Sequence, residues 1–141
     1  LAAQGGIFMK RLDIPVTLGS NTRVMQFAED ALFEMGASDK IVAKMMVAVD
    51  EVYSNIVFYS GASIASVILE LSDDILTLEF IDDGIAYDPL ATPDPDINLS
   101  AEERKIGGLG IYMVRKSMDE MKYLYEGGKN ILVLKKKFEP R

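Results

Sequence analysis

The sequence contains no cysteine and no histidine. The first absence excludes disulfides and thiolate metal sites, so the fold must be held by its own packed core. The second excludes an imidazole general base, a histidine metal ligand and a phosphohistidine, leaving acid–base chemistry to Asp, Glu, Lys or Tyr. Basic residues are also outnumbered: 15 Lys and Arg stand against 22 Asp and Glu, a net charge of -7. That balance argues against direct nucleic-acid binding, which draws its affinity from cations on phosphates. It favours basic partner surfaces, and requires any anionic ligand to be met by local donors or a metal. No apolar run approaches bilayer length and no signal peptide is evident, so the expectation is a cytoplasmic protein without a membrane segment.

What is present fits one globular domain. A chain of 141 residues, 49% hydrophobic and 26% charged, can bury a core without staples. Residues 1–8 contain glycine and lack periodicity; they are set apart as a disordered or extraneous N-terminus, and residues 9–141 are taken as a single domain. Lys10 to Thr17 alternates, with Pro15 pointing to an edge strand. Ser20 or Asn21 can cap a first helix through about Met35, ended at Gly36. Ser38 or Asp39 caps a second, from Lys40 to about Tyr59. Ala65 to Leu71 and Ile75 to Ile81 read as a hairpin across Ser72-Asp73-Asp74. Residues 86–104 form a long acidic, proline-containing loop, a length more typical of a functional segment than of filler. Ile111 to Met118 reads as a short helix, and a last hairpin turns at Gly127-Gly128. The order predicts an α+β fold: a two-layer sandwich, with a mixed sheet of about five strands and helices on one face.

Three stretches could carry chemistry. In Asp50-Glu51-Val52-Tyr53-Ser54-Asn55, helical spacing puts Glu51 and Asn55 on one face. Such a pair suits an oxygen-rich cation site or a base beside a metal ligand, and taken alone is equally a solvated Glu and a surface Asn. Asp82-Asp83-Gly84 ends a buried strand. Its carboxylate can accept from an exocyclic amine of a nucleobase, and Gly84 allows close approach of a flat ligand, although an ordinary acidic turn has the same composition. Gly107-Gly108-Leu109-Gly110 opens a helix, so its backbone N–H groups can converge on an anion, or the glycines can serve as a hinge. Arg104 and Lys105 lie just upstream, the only basic residues between Lys44 and Arg115. In this order the stretches fit a triphosphate site, with Asn55 toward a metal, Asp82 toward the base, the glycines toward phosphates and Glu51 beside the reacting end.

On these motifs the chain resembles the ATP-binding domains of the GHKL superfamily, the Bergerat fold shared by histidine kinases and gyrase. Within it, the chain is most similar to the bacterial anti-sigma-factor serine/threonine kinases. The N-box corresponds to residues 50–56, the G1 box to residues 81–89 and the G2 box to residues 106–115, followed by Met118-Asp119-Glu120-Met121. The resemblance implies ATP and Mg2+ as cofactors, Asn55 on Mg2+, Asp82 on the adenine amine and Glu51 as general base. It further implies a nucleotide site drawing on Gly84, Ala86, Arg104, Lys105, Gly107, Gly108, Leu109 and Gly110, under a lid over residues 90–106. The implied activity is transfer of the ATP γ-phosphoryl to a serine of an anti-anti-sigma (STAS) partner, sequestration of a sigma factor, or both, by a homodimer. Two places depart from the family pattern. Ala86 replaces the second glycine common in G1, and Val57, Phe58, Tyr59 and Ser60 replace the basic and histidine residues common after the N-box asparagine. Those departures motivate an alternative: a non-catalytic nucleotide-binding module that sequesters a partner.

Overall fold

The structure, a computed structural model, describes residues 7–91 and 108–141. Strand β1 (Phe8–Pro15) is followed by helices α1 (Ser20–Glu34) and α2 (Asp39–Asn55), the latter running into a π-helical turn at Ile56–Ser60. Strands β2 (Ile64–Ser72) and β3 (Ile75–Asp82) form a hairpin. Beyond a 3-10 turn at Pro89–Ala91 come helix α3 (Gly108–Ser117) and the strands β4 (Glu120–Glu126) and β5 (Lys129–Lys137).

The five strands make one sheet in the order β1-β2-β3-β5-β4. The α+β architecture is as expected, but the sheet is antiparallel at every pairing rather than mixed. The connections explain the difference. The chain leaves β1 at Pro15 and re-enters the sheet at Ile64, directly opposite. After β3 it crosses through α3 to the far end of the sheet, so β4 runs parallel to β3. The tight turn at Gly127-Gly128 then folds β5 back between them, which separates the parallel pair. Pro15 sits on an edge strand, where a missing N–H costs no ladder bond.

Alternation along the strands decides which side chains meet the helices. Leu76, Leu78, Phe80 and Asp82 of β3, and Asn130, Leu132 and Leu134 of β5, are all buried, while Thr77, Glu79, Ile81, Ile131 and Val133 on the other face are only partly covered. Val24, Ala28 and Leu32 of α1 and Ile41, Met45, Val49 and Val52 of α2 complete the core. Tyr53 is also buried, its hydroxyl paired with Ser20 Oγ at 2.7 Å. Burial pushes the Tyr53 phenol pKa up, against the Ser20 hydrogen bond.

Ser38 caps α2 as expected, its Oγ accepting from the Ile41 N–H at 3.2 Å. The start of α1 departs from expectation. Gly19 precedes the helix with φ 92, and no side chain caps it. Ser20 instead donates back to the Thr17 carbonyl at 2.7 Å while engaging Tyr53, so its hydroxyl serves the turn and the core.

Candidate functional site

Helix α2 carries Glu51 and Asn55 a turn apart, as its periodicity requires. Past Asn55 the helix widens into the π-helical turn, where Ser60 Oγ donates to the Ile56 carbonyl at 2.8 Å. Ser60 also forms the seat for the loop after β3. Its carbonyl accepts from the Ile85 N–H at 2.8 Å, and a Cβ placed on Gly84 would lie 2.3 Å from that same oxygen. No side chain fits at position 84 while this contact holds, which gives the glycine of the acidic turn a structural reason.

The two carboxylates of that turn have separate tasks. Asp83 is exposed and accepts from the N–H groups of Ser63 at 2.7 Å and Ile64 at 3.1 Å, tying the end of β3 to the start of β2. The Ile64 and Ser63 N–H groups hold its pKa below the ordinary value. Asp82 points inward and is 5% exposed; its Oδ1 accepts from the Gly84 N–H at 2.9 Å and from Asn130 Nδ2 at 3.0 Å. Its Oδ2 accepts from no described residue.

Asp82 and Asn55 line the same cavity, a space of about 370 Å³ including its open mouth. The floor is apolar, with Val52, Phe80 and Leu132; Ser60, Tyr87, Tyr123 and Asn130 add polar atoms to the wall. The Tyr59 and Tyr87 rings lie 6.0 Å apart and tilted by 31°. The Asn55 carboxamide is buried in this wall, and no described residue makes a side-chain hydrogen bond to it. No buried side-chain nitrogen or oxygen among the described residues lacks a partner, so the unbonded amide atoms are open to the cavity, where a ligand can meet them. Its carbonyl oxygen fits one position of a hard divalent cation. No group of three or more acidic side chains among the described residues could form a protein cage, so phosphate and water would have to supply the remaining ligands.

Glu51 lies outside this lining, one turn back on α2, under the first turn of α3. A Cβ on Gly110 would fall 1.9 Å from Glu51 Oε2 and 2.4 Å from its Cδ, so the carboxylate packs directly on the Gly110 backbone. Desolvation there raises the Glu51 pKa, and the neighbouring Asp50 charge adds to the rise. Gly108 and Leu109 open α3 beside this contact. Ala86 is exposed and lies outside the cavity lining. Arg104, Lys105 and Gly107 lie outside the described residues, as does all of the expected lid except Leu90 and Ala91. Those two residues end the 3-10 turn, where Arg115 Nη2 donates to the Leu90 carbonyl.

The sequence reading did not single out Asn130, Tyr123, Tyr87 or Ser60 as site residues. A signal for Asn130 was available: in Asn130-Ile131-Leu132-Val133-Leu134 the alternation puts Asn130 on the face of Leu132 and Leu134, and a polar side chain on a core face asks for a partner. That partner follows from register, since Asn130 lies opposite Asp82.

A helix-covered antiparallel sheet thus holds a carboxylate and a carboxamide in one cavity. Residues 14–136 match the histidine kinase-like ATPase domain family, and the chain belongs to that family. ATP binding is what membership implies. Among curated relatives, the serine-protein kinase RsbW of Bacillus cereus (strain G9842) is 25% identical over 108 residues, covering 72% of this chain and 68% of the relative. The serine-protein kinase RsbW of Listeria monocytogenes serovar 1/2a is 26% identical over 108 residues, covering 71% and 69%. Among solved structures, the RsbU and RsbW domains of Rv1364c from Mycobacterium tuberculosis superpose with a TM-score of 0.63 at 18% identity. That match covers 92% of this chain and spans 32% of the longer one; it shows a shared fold. No described helix is long and apolar enough to cross a membrane.

Proposed function

We propose that the chain is an ATP-dependent serine/threonine protein kinase of the anti-sigma regulatory type. Asp82 would accept the adenine amine, and Asn55 would supply one oxygen to Mg2+. The α3 glycines would donate to phosphate oxygens, with Arg104 or Lys105 reaching in from the lid. The observation that carries the reading is that Asn55 and Asp82, 27 positions apart in sequence, line one cavity while Glu51 of the same helix α2 meets the first turn of α3. Mg2+, when bound, would neutralise charge on the departing diphosphate. Glu51 would take the proton of the incoming serine hydroxyl as its oxygen bonds to the γ-phosphorus and the bond to the β-phosphate oxygen breaks, releasing ADP. The raised Glu51 pKa moves it toward the range in which a carboxylate is an effective base.

The substrate in this reading is a serine of a STAS-domain anti-anti-sigma protein. A sigma factor is the sequestered partner, the kinase is a homodimer, and the setting is cytoplasmic. Replacing Glu51 by Ala is expected to lower turnover at least about a hundredfold while sparing ATP affinity; unchanged turnover would refute its role as base. Replacing Asn55 by Ala is expected to abolish the Mg2+-dependent part of ATP binding, and an unaltered dissociation constant would remove it from the site.

One observation favours a second reading, a nucleotide-binding module that sequesters its partner without phosphorylating it. The turn after Asn55 exposes Phe58 and Tyr59 where cations would steady phosphates. Incubation with labelled ATP and candidate STAS proteins separates the two: label on serine supports the kinase, and saturable ATP binding without transfer supports the module.

A further inference from the structure

Asn130 is 5% exposed, and its carboxamide has no unused capacity. Nδ2 donates to Asp82 Oδ1 at 3.0 Å and to the Ile85 carbonyl at 2.7 Å; Oδ1 accepts from the Tyr87 N–H at 2.9 Å and from the Tyr123 hydroxyl. An amide offers two N–H donors and an oxygen with two lone pairs, so all four places are filled. Its orientation is also fixed. The Ile85 carbonyl can only accept and the Tyr87 N–H can only donate, so a flipped amide would set oxygen against oxygen and N–H against N–H.

We propose that Asn130 is a positioning residue that sets the base selectivity of the cavity: by occupying Asp82 Oδ1, it leaves Oδ2 as a bare acceptor that admits a ring edge carrying an exocyclic amine and rejects one carrying a carbonyl. The proposal rests on the nucleotide-site reading above. Gly84 N–H and Asn130 Nδ2 together hold Oδ1, which fixes the carboxylate. A ligand amine gains an acceptor at Oδ2. A ligand carbonyl in the same place meets an acceptor, and the Asn130 donors that could have relieved it are committed to Asp82 and Ile85. A site built to receive a donor discriminates strongly because the mismatched ligand leaves buried polar atoms unpaired.

The variant that isolates this role is Asn130→Asp. It keeps shape and can still accept from Tyr87 and Tyr123, but replaces the donor facing both Asp82 and the Ile85 carbonyl with an acceptor. Two carboxyl groups at hydrogen-bond distance share a proton, and a protonated carboxyl can donate. Titration calorimetry with ATP and with inosine triphosphate, which differ in the 6-amino against the 6-oxo group and in N1 (a bare acceptor in adenine, an N–H in hypoxanthine), reads the outcome. Wild type is expected to prefer ATP by about a hundredfold or more. The variant is expected to lose at least about tenfold of that ratio, with the 6-oxo ligand binding more tightly than it does to wild type, which general loosening of the fold would not produce. Purine riboside triphosphate, which lacks a 6-substituent, tests the rejection on wild type alone and is expected to bind between the other two ligands. Binding of the 6-oxo ligand to wild type as tight as that of the unsubstituted one overturns the proposal even where Asn130→Asp does not fold. An unchanged ratio in a folded Asn130→Asp also overturns it, whereas wild type that binds no nucleotide at all defeats the underlying reading of the site.

Discussion

Gly84→Ala probes the seat of the site. The added Cβ would lie 2.3 Å from the Ser60 carbonyl oxygen and 2.8 Å from both its carbonyl carbon and its Cβ. These atoms belong to the π-helical turn, and the oxygen is already held by the Ile85 N–H at 2.8 Å, so the clash cannot be relieved by rotating a side chain. Overpacking of this kind costs about 1–3 kcal/mol. Relief by shifting the loop loses the Ile85 bond and weakens the Gly84 N–H bond to Asp82, at about 1 kcal/mol each. The sum is about 3–5 kcal/mol, or a fall of about 10–17 °C in melting temperature for a chain of this size, with weaker ATP binding as Asp82 loses a partner. Gly110→Ala is the matched control. Its Cβ meets the Glu51 carboxylate, the far end of a flexible side chain, and alanine is preferred to glycine in a helix by about 1 kcal/mol. It should therefore melt at or slightly above wild type, while turnover falls because Glu51 is displaced. Circular dichroism melts of the two variants, with ATP titrations, decide the matter. A Gly84→Ala protein that melts with wild type would show that the loop does not rest on Ser60, and the geometry assigned to Asp82 would fall with it.

Three further substitutions test the frame. Ser38→Ala removes the oxygen that accepts from the Ile41 N–H and should cost about 1 kcal/mol by denaturant titration, with no change in nucleotide affinity. On acidification, Asp83, held down by the Ile64 and Ser63 N–H groups, and Asp119, held down by the Lys137 N–H, have folded pKa values below 3.8. Their contribution is present above 3.8 and lost as pH falls through the lowered values, so the melting temperature should drop in that window and Asp83→Asn should flatten the drop. Glu51 has the opposite sign, since its pKa is raised by desolvation and then by Asp50. Its contribution is full below the ordinary 4.5 and lost as pH rises through the raised value, so Glu51→Gln should stabilise modestly at neutral pH.

The elements themselves were legible because their signals are local. Ser38 before an apolar-periodic run, the Asp73-Asp74 and Gly127-Gly128 turns, and alternation in β3 each act over a few residues, and each appears where expected. Asp73 and Asp74 adopt φ 50 and 65, the positive values that a two-residue hairpin turn needs. Strand order was not legible, because nothing local in β4 or β5 says that β5 inserts beside β3. The π-helical turn was hidden for a related reason: Ile56 to Tyr59 keeps the apolar pattern of a helix, and the change of pitch comes with Ser60, which bonds both back to Ile56 and across to Ile85. The Asp82–Asn130 pair required the register of two strands 48 positions apart at that point, although alternation marked each residue as facing inward.

In the proposed kinase, the arrangement along α2 would separate binding from chemistry. At its C-terminal end, Asn55 faces a cavity whose other polar groups are interlocked: Asn130 joins Asp82, Ile85, Tyr87 and Tyr123, and Gly84 rests on Ser60. Such a network resists change because displacing one member strands several buried groups at once. One turn earlier, Glu51 has no comparable lattice among the described residues and is set by the approach of the Gly110 backbone. The cavity is thus held by hydrogen bonds internal to the sheet and the α2 terminus, whereas the position of Glu51 follows that of α3, a helix joined to β3 through the long acidic segment. In the proposed kinase, a change that shifts α3 would reach Glu51 before it reached Asp82, so phosphoryl transfer would be the more easily regulated of the two steps and nucleotide capture the more robust.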